Sequence, residues 1–258
     1  MNSSIRPVRL PCSSFAVPLL LLVLVGCSTT PEQQALEDIR DTTIIPNLGS
    51  YDDQIQQEAV ARMLSILESA PEVGRNLLVA SLRDPVHDDR TKMVCAWLLS
   101  TVNDRRALPT LMEFLGRGTD SDESLLREAV VSFGASVVPS VARVLDEGSD
   151  VARIAAAEVL CELETSEAVD ALIARYAAEP HPRVRFLILC GVADESPPRV
   201  APLERALSDE EAVNREFAWT TLARLFRLPP SITFDPDGNA ATRRAQIDRF
   251  RAWREGRS

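Results

Sequence analysis

The first residue type that could do chemistry is a histidine beside two carboxylates. His87 is followed by Asp88 and Asp89 in the segment DPVHDDR, so an imidazole and two acids adjoin one another as possible metal ligands. A stable zinc site needs three or four ligands that converge on the ion. The pattern therefore favours turn and helix-capping roles, and we expect the same for His181 in EPHPR.

Two acidic segments are similar to calcium-binding loops. They are GTDSDES at residues 118–124 and DPDGN at residues 235–239. An EF-hand loop that begins at Asp235 would need a bidentate acid at position 246, where this chain has Gln246. Helix capping is the interpretation that we favour at both segments. We expect no bound metal.

Motifs typical of catalysis are missing from the sequence. It contains no HExxH zinc motif, no G-x-S-x-G nucleophile turn and no paired CxxC. Its single lysine, Lys92, is not part of a phosphate-binding loop. We therefore predict that the protein is not an enzyme and uses no cofactor.

Cys27 is the residue with the clearest prospect of covalent modification. It directly follows the apolar run FAVPLLLLVLVG, from Phe15 to Gly26, which is about a dozen residues and shorter than the roughly 20 that a membrane-spanning helix needs. Arg6 and Arg9 precede the run without any acid, which is the organisation of a secretory signal peptide.

The ending Leu-Val-Gly-Cys resembles the lipobox of bacterial lipoproteins. In that family, cleavage precedes the cysteine and its thiol carries a diacylglyceryl group. The resemblance implies that residues 1–26 are a signal peptide and that Cys27 is a lipidated N-terminus, anchored firmly by several acyl chains. It also implies an exported protein on the periplasmic side, and Ser28 favours the outer membrane over the cell membrane. The alternative is a plain signal peptide cleaved elsewhere, with Cys27 an ordinary thiol.

The charge of the chain disfavours nucleic acid as a ligand. The formal net charge is -10, and loss of the two arginines in residues 1–26 makes it -12. Such a surface repels phosphate backbones. The cysteines beyond the anchor, Cys95, Cys161 and Cys190, lie in apolar patterns and are odd in number, so we expect small buried hydrophobic residues and no disulfide framework.

Four segments of the chain align with one another. They are ALPTLMEFL from residue 107, VVPSVARVL from 137, AVDALIARY from 168 and RVAPLERAL from 199. Apolar residues recur at positions i, i+3 and i+7, which predicts one stripe of an amphipathic helix. The three apolar columns are Leu108, Val138, Val169 and Val200, then Leu111, Val141, Leu172 and Leu203, then Leu115, Leu145, Tyr176 and Leu207. Prolines 109, 139 and 202 fall in the first turn, where a missing N–H costs nothing.

A second helix signature precedes each of these segments and carries a basic residue. The series is Lys92, Arg127, Arg153, Arg185 and Arg215, with spacings of 35, 26, 32 and 30 residues, and Gln57 extends it upstream. We expect these side chains to bond acids or carbonyls of the adjacent unit and so to form a ladder along the protein.

This unit of two helices, with arginine in the first and proline opening the second, resembles the HEAT repeat. The resemblance implies an all-α fold: an α-α superhelix of about six helix pairs over residues 53–228, with the second helices lining the concave face. Residues 27–52 are polar and are predicted to be a tether. Residues 229–258 are predicted to cap the end of the superhelix with Ile247, Phe250 and Trp253, and they are similar to the tails of HEAT-repeat proteins of planctomycete-type bacteria.

Arginines on the second helices are the candidate binding residues. Arg143 and Arg205 share a column, and Arg175 lies one position further in its own segment, so the three could bind a carboxylate-rich or phosphorylated partner. Alternatively they lie near helix ends, where cations interact with the helix dipole. We expect a non-enzymatic scaffold or adaptor that binds an unknown protein in the cell envelope. The rival interpretation is an accessory subunit or lyase-like protein that assists an envelope enzyme, since some HEAT-like proteins act as bilin lyases or DNA glycosylases.

Overall fold

The structure, a computed structural model, describes residues 40–117, 123–196 and 199–256, together with residues 30, 33, 34 and 37. The regular structure within these residues is helical and includes no strand. Two short 3-10 helices, Arg105–Ala107 and Gly134–Val137, lead into α-helices. The α-helices are α1 Ile44–Leu48, α2 Asp53–Ser69, α3 Pro71–Arg83, α4 Asp89–Thr101, α5 Leu108–Arg117, α6 Glu123–Val131, α7 Val138–Glu147, α8 Asp150–Glu162, α9 Ser166–Tyr176, α10 Pro182–Asp194, α11 Val200–Ala206, α12 Ala212–Phe226 and α13 Ala240–Glu255.

The helices stack as successive pairs, which confirms the predicted all-α solenoid. The pairs are α2/α3, α4/α5, α6/α7, α8/α9 and α10/α11, and α12 opens a sixth unit. The first helices pack in a row from α4 through α6, α8 and α10 to α12, while α5 packs on α7 and α7 on α9. Each pair leaves an apolar stripe that only its neighbours cover, so one continuous core runs through the stack.

The aligned columns form this core as predicted. All four residues of the middle column are fully buried, and the last column is buried too. In the first column, Val138 and Val169 are buried, while Leu108 and Val200 are half-buried and pack against the core.

Local sequence signals set the helix starts. Asp88 accepts a hydrogen bond from the Thr91 N–H at 2.8 Å and so caps α4. Ser149 and Thr165 cap α8 and α9 in the same way through their hydroxyl oxygens. The predicted prolines lie in the first turns of α5, α7 and α11, where the backbone N–H has no helical partner to lose.

The third unit connects its helices through a 3-10 turn. Gly134 follows α6 with φ +63°, a left-handed conformation that glycine adopts without steric cost. A 3-10 turn then leads directly into α7. The FGAS sequence lies within a connection of residues 132–137, whereas Ala70 alone joins α2 to α3 and residues 163–165 join α8 to α9.

The packed structure begins earlier than the sequence predicts. Residues 44–48, which we assigned to the tether, form α1, and Ile44, Ile45 and Leu48 are buried against α2 and α4. Three large apolar residues in five positions favour burial even in a polar neighbourhood. Upstream, Thr30 and Gln33 form a reciprocal capping box, with hydrogen bonds of 3.0 and 3.2 Å.

The C-terminal segment covers the last unit as predicted. After α12 the chain runs without a helix through residues 227–239 and then forms α13. Phe250 is fully buried and makes edge-on contacts with Trp219 and Phe226, each at 5.8 Å between ring centroids. Ile247 is buried as well, and Trp253 packs against the core, so α13 closes the end of the solenoid.

No single helix among the described residues is long and apolar enough to span a membrane. Residues 124–131 and 134–147 together have the length and composition of a membrane-spanning segment, but the two helices bend by 107° at their junction. Their apolar residues Val130, Val137 and Val141 are buried in the core. Residues 1–29, with the predicted signal peptide and Cys27, lie outside the described part of the chain.

Candidate functional site

Buried arginines of the first helices form the predicted ladder. Arg153 donates from Nε and Nη2 to the Glu179 carboxylate at 3.0 and 3.1 Å, and from Nη1 to the Gly148 carbonyl at 2.9 Å. Arg185 repeats this arrangement one unit later. Its Nε and Nη2 donate to Asp209 at 2.8 and 2.9 Å, and its Nη1 donates to the Pro180 carbonyl at 2.8 Å.

Each rung joins two loops through one guanidinium group. The Nη1 end bonds the loop before the arginine's own helix, while the Nε/Nη2 edge grips an acid in the loop before the next first helix. Arg215 follows the pattern with carbonyls, since Nη1 donates to Glu210 and Nε donates to Pro236 at 2.6 Å. Bidentate charge-assisted bonds of this kind are strong and directional, so the ladder fixes the register between units.

The carboxylates of the ladder are stabilised in their ionised form. Burial alone would raise the pKa of Asp209, but hydrogen bonds from Arg185, from the Glu211 N–H and from the Tyr176 hydroxyl outweigh it and lower the pKa below its ordinary value. Glu179 has a lowered pKa for the same reason, through bonds from the His181 N–H and from Arg153. The pKa of Tyr176 is raised by burial and by its bond to Asp209.

The sequence analysis missed the acids of the ladder, although a signal for them exists. An acid precedes the ladder arginine by six residues in Glu179/Arg185 and Asp209/Arg215. Glu147 stands six residues before Arg153 and Asp237 six before Arg243. Ser121 stands six residues before Arg127, so the column of acids begins one unit later than the column of arginines and could have been read from the alignment.

The ladder weakens toward the N-terminal units. Arg127 forms ion pairs with Glu158 at 2.8 Å and with Glu162 at 2.9 Å, both on the next first helix, as predicted. For Lys92 and Gln57, in contrast, the described residues provide no side-chain hydrogen bond or ion pair. The expectation of a continuous ladder is wrong for these two positions, because neither side chain has the forked guanidinium that makes both contacts.

Arg175 does not lie free on the second-helix surface. Its Nε donates to Glu179 at 2.9 Å, and its side chain is only 16% exposed. Glu179 therefore holds two guanidinium groups, those of Arg153 and Arg175. The structure gives Arg175 a place beside the ladder, which leaves Arg143 and Arg205 as the exposed members of the candidate set.

Arg143 and Arg205 are exposed, and neither forms a hydrogen bond or ion pair with any residue that the structure describes. Arg205 lies in the last turn of α11, where the helix-dipole interpretation also applies. Arg143 precedes the last turn of α7, so the dipole explains it less well.

Arg205 lines a cleft between α9 and α11, which we call the second-helix cleft. Its volume is about 240 Å³, and its lining residues are Ile173, Tyr176, Arg199, Ala201, Pro202 and Arg205. Arg199 is already bonded to Glu195 and to Asp170. The cleft thus offers one uncommitted guanidinium beside an apolar wall, which suits a peptide side chain with an acidic end.

The residues considered for metal binding have structural roles where they are described. Asp88 caps α4, and Asp89 pairs with Arg117 at 3.0 Å. Asp235 closes the turn before α13 by accepting from the Asp237 and Gly238 N–H groups. Among the described residues, no group of three or more His, Cys, Asp or Glu is placed to hold a metal ion. Residues 118–122 lie outside that part of the chain.

The three cysteines are free thiols. Cys95 is fully buried, and burial raises its pKa to about 12. Cys161 is half-buried, donates to the Leu187 carbonyl, and has a pKa raised to about 12 chiefly by burial. Cys190 also has a pKa raised by burial. At neutral pH all three are thiols, which are weak nucleophiles and poor metal ligands.

Comparison with known proteins identifies the repeat. Residues 152–177 match the family model described as PBS lyase HEAT-like repeat. This segment covers most of α8 and all of α9, including the ladder residue Arg153. No curated protein matches the chain significantly. The match and the stacked helix pairs together support a HEAT-repeat domain with an all-α HEAT-like solenoid fold.

Proposed function

We propose that this protein is a non-enzymatic scaffold or adaptor, anchored to a membrane of the bacterial cell envelope through a lipid on Cys27. The HEAT-like solenoid supports the scaffold role, because stacked repeats present an extended surface suited to another protein. The lipobox-like sequence before Cys27 supports the anchor and the exported location.

The scaffold proposal rests on Arg205 in the second-helix cleft, which is exposed and forms no ion pair with the described residues. The buried arginines of the ladder already bond acids and carbonyls, whereas Arg205 is exposed beside Ile173 and Pro202. An exposed cation without an ion-pair partner among the described residues contributes little to folding, but it can bind a carboxylate strongly in an interface. Arg143 offers a second such group on α7, which packs against α9.

The test compares partner capture by matched charge variants. Arg143→Glu/Arg205→Glu should lose the main partner that lipidated wild-type protein retains from envelope membranes, while its thermal unfolding changes little, since each exposed substitution shifts stability by about 0.5 kcal/mol or less. Arg175 is left unchanged, because a glutamate there would face the buried Glu179.

Arg105→Glu/Arg224→Glu is the control for net charge. Both arginines are exposed, and neither lines the second-helix cleft. The control variant should capture the partner as well as wild type does. Equal capture by the Arg143→Glu/Arg205→Glu variant would contradict the assignment of the binding surface.

The second candidate is an accessory subunit or lyase-like protein that assists an envelope enzyme. Its support is the description of the repeat family that matches residues 152–177. The same capture experiment separates the two candidates. An adaptor leaves the turnover of a captured enzyme unchanged, whereas an accessory subunit changes it when purified protein is added back.

A further inference from the structure

The C-terminal cap contains a second cleft, independent of the surface proposed above. It lies between α13 and the end of α11. In this last unit, the non-helical residues 227–239 connect α12 to α13. We call it the cap cleft. Its volume is about 240 Å³, and it is lined by Ser208, Ala240, Arg243, Arg244, Ile247, Asp248 and Arg251.

Arg243 occupies the ladder position of the last unit. Its Nη1 donates to the Gly238 carbonyl five residues earlier. Arg153 and Arg185 donate from the same nitrogen to Gly148 and Pro180, also five residues earlier. Arg243 therefore makes the first half of a ladder rung, the half that bonds the loop before its own helix.

The second half of this rung has no partner in the described chain. In Arg185, Nε and Nη2 grip the Asp209 carboxylate at 2.8 and 2.9 Å, and Arg153 holds Glu179 in the same way. The Nε and Nη2 of Arg243 make no hydrogen bond with any residue that the structure describes, and Arg243 lines the cap cleft. Within the described residues, no further helix pair follows α13 to supply such an acid.

We propose that the cap cleft binds a carboxylate side chain from an acidic segment of a protein partner, held side-on by Arg243 as Asp209 is held by Arg185. Two rungs of the ladder show which group this edge of the guanidinium binds, since in both it donates hydrogen bonds to a carboxylate. Planar forked donors match a carboxylate in two parallel bonds.

The charge around the cap cleft fits an acidic ligand. Arg243, Arg244 and Arg251 against Asp248 leave a formal charge of +2 in the lining. Arg244 is exposed without a partner among the described residues, and the ion pairs of Arg251 with Glu204 and Asp248 are long, at 3.9 and 3.8 Å. Residues 240–258 carry six arginines and two acids, +4, on a chain with a net charge of -10. Opposite charge at this end alone favours an acidic partner there.

A fluorescein-labelled hexaglutamate peptide serves as the probe for this site. Binding to the full chain in mild detergent is followed by fluorescence anisotropy, with hexaglutamine as the uncharged comparison. Arg244→Glu should weaken hexaglutamate binding by about ten-fold, because it reverses an uncommitted charge in the lining. Arg249→Glu is the matched control. It makes the same charge change on an exposed residue of α13 that does not line the cleft, and it should weaken binding less than about two-fold.

Arg243→Lys tests the side-on contact itself. Lysine keeps the charge but lacks the forked pair of donors, so binding should fall by several-fold although the net charge is unchanged. An equal loss of hexaglutamate binding in Arg244→Glu and in its control Arg249→Glu would show unspecific charge attraction and overturn the proposal. So would no hexaglutamate binding, or preferential binding of inorganic phosphate or phosphatidylglycerol vesicles. None of these outcomes bears on the second-helix cleft, because separate variants test that surface.

Discussion

Asp209 accepts four hydrogen bonds, and this density of donors explains why the ladder tolerates buried charge. They come from the Tyr176 hydroxyl, from two nitrogens of Arg185 and from the Glu211 N–H, all between 2.8 and 2.9 Å. A buried carboxylate is costly unless its lone pairs are all used. The ladder meets this condition at Asp209 and at Glu179.

Asp209→Asn should destabilise the protein by about 3 to 5 kcal/mol, because it leaves the Arg185 guanidinium buried without a counter-charge. Urea unfolding at pH 7 gives the free-energy difference. Asp170→Asn is the control, since Asp170 pairs with Arg199 but its side chain is 65% exposed, and we expect a loss under about 1 kcal/mol. Similar losses in both variants would mean that the ladder contributes no more than a surface ion pair.

The pH dependence of stability follows from the same carboxylates. Asp209 and Glu179 have lower pKa values in the folded state than in an unfolded chain. Their contribution is therefore complete above the unfolded pKa of about 4 and is lost as the pH falls through the folded value. Unfolding free energies measured from pH 7 down to pH 3 should decline less steeply for Asp209→Asn than for wild type. Parallel curves would contradict the role of Asp209 in this decline.

At the scale of elements, the solenoid is held by close approach of neighbouring helices. Gly191 on α10 shows how close this is, because a Cβ there would lie 2.7 Å from the Leu172 side chain of α9 and 2.8 Å from the Cys161 sulfur of α8. Leu172 itself is fully buried. At Gly191, the first helix of one unit thus approaches both helices of the preceding unit.

Leu172→Ala should lower the free energy of unfolding by about 2 to 5 kcal/mol, since the rigid neighbours cannot fill the space. Leu225→Ala on α12 removes the same atoms from a side chain that is 37% exposed, and it should change stability by about 0.5 kcal/mol or less. Thermal or urea unfolding followed by circular dichroism measures both. If the two variants melt alike, Leu172 does not pack between units as the structure has it.

At the scale of the whole molecule, charge and attachment are distributed unequally. Residues 27–239 carry -16 and residues 240–258 carry +4. In the sequence, a lipid on Cys27 would precede the solenoid, whereas the basic cap follows it. The proposed scaffold would then have its membrane contact and its cap cleft at different ends of the chain, so both could be occupied at once.

Cys27→Ser should abolish acylation and release the protein from membranes, because serine offers no thiol for the diacylglyceryl group. Labelling with a fatty-acid analogue and fractionation of cells measure the two effects. Cys12→Ser is the control. It alters a cysteine that lacks the lipobox pattern and leaves with the predicted signal peptide, so maturation should be normal. Unchanged membrane attachment of Cys27→Ser would refute the proposed anchor.

The sequence predicted the paired helices of the solenoid and their buried faces, although it did not predict α1. Caps such as Asp88 and Thr165, the prolines of the first turns and the three apolar columns all act within a few residues, so they can be read from one segment at a time. The repetition of those segments then predicted the stacking. The cap residues Ile247, Phe250 and Trp253 were found for the same reason.

The pairing of the polar side chains could not be predicted from the sequence, because it depends on how neighbouring units pack. Arg153 bonds an acid 26 residues later in the sequence, and Arg185 bonds one 24 residues later. The stacking of the units sets these sequence separations. Arg175 lies one position past the column of Arg205 in the alignment, and the loop after α9 places Glu179 beside Arg175, whereas Arg205 is exposed. A long side chain reaches several alternative neighbours, so helix periodicity sets the face on which it lies, while the packing of the next unit sets its partner.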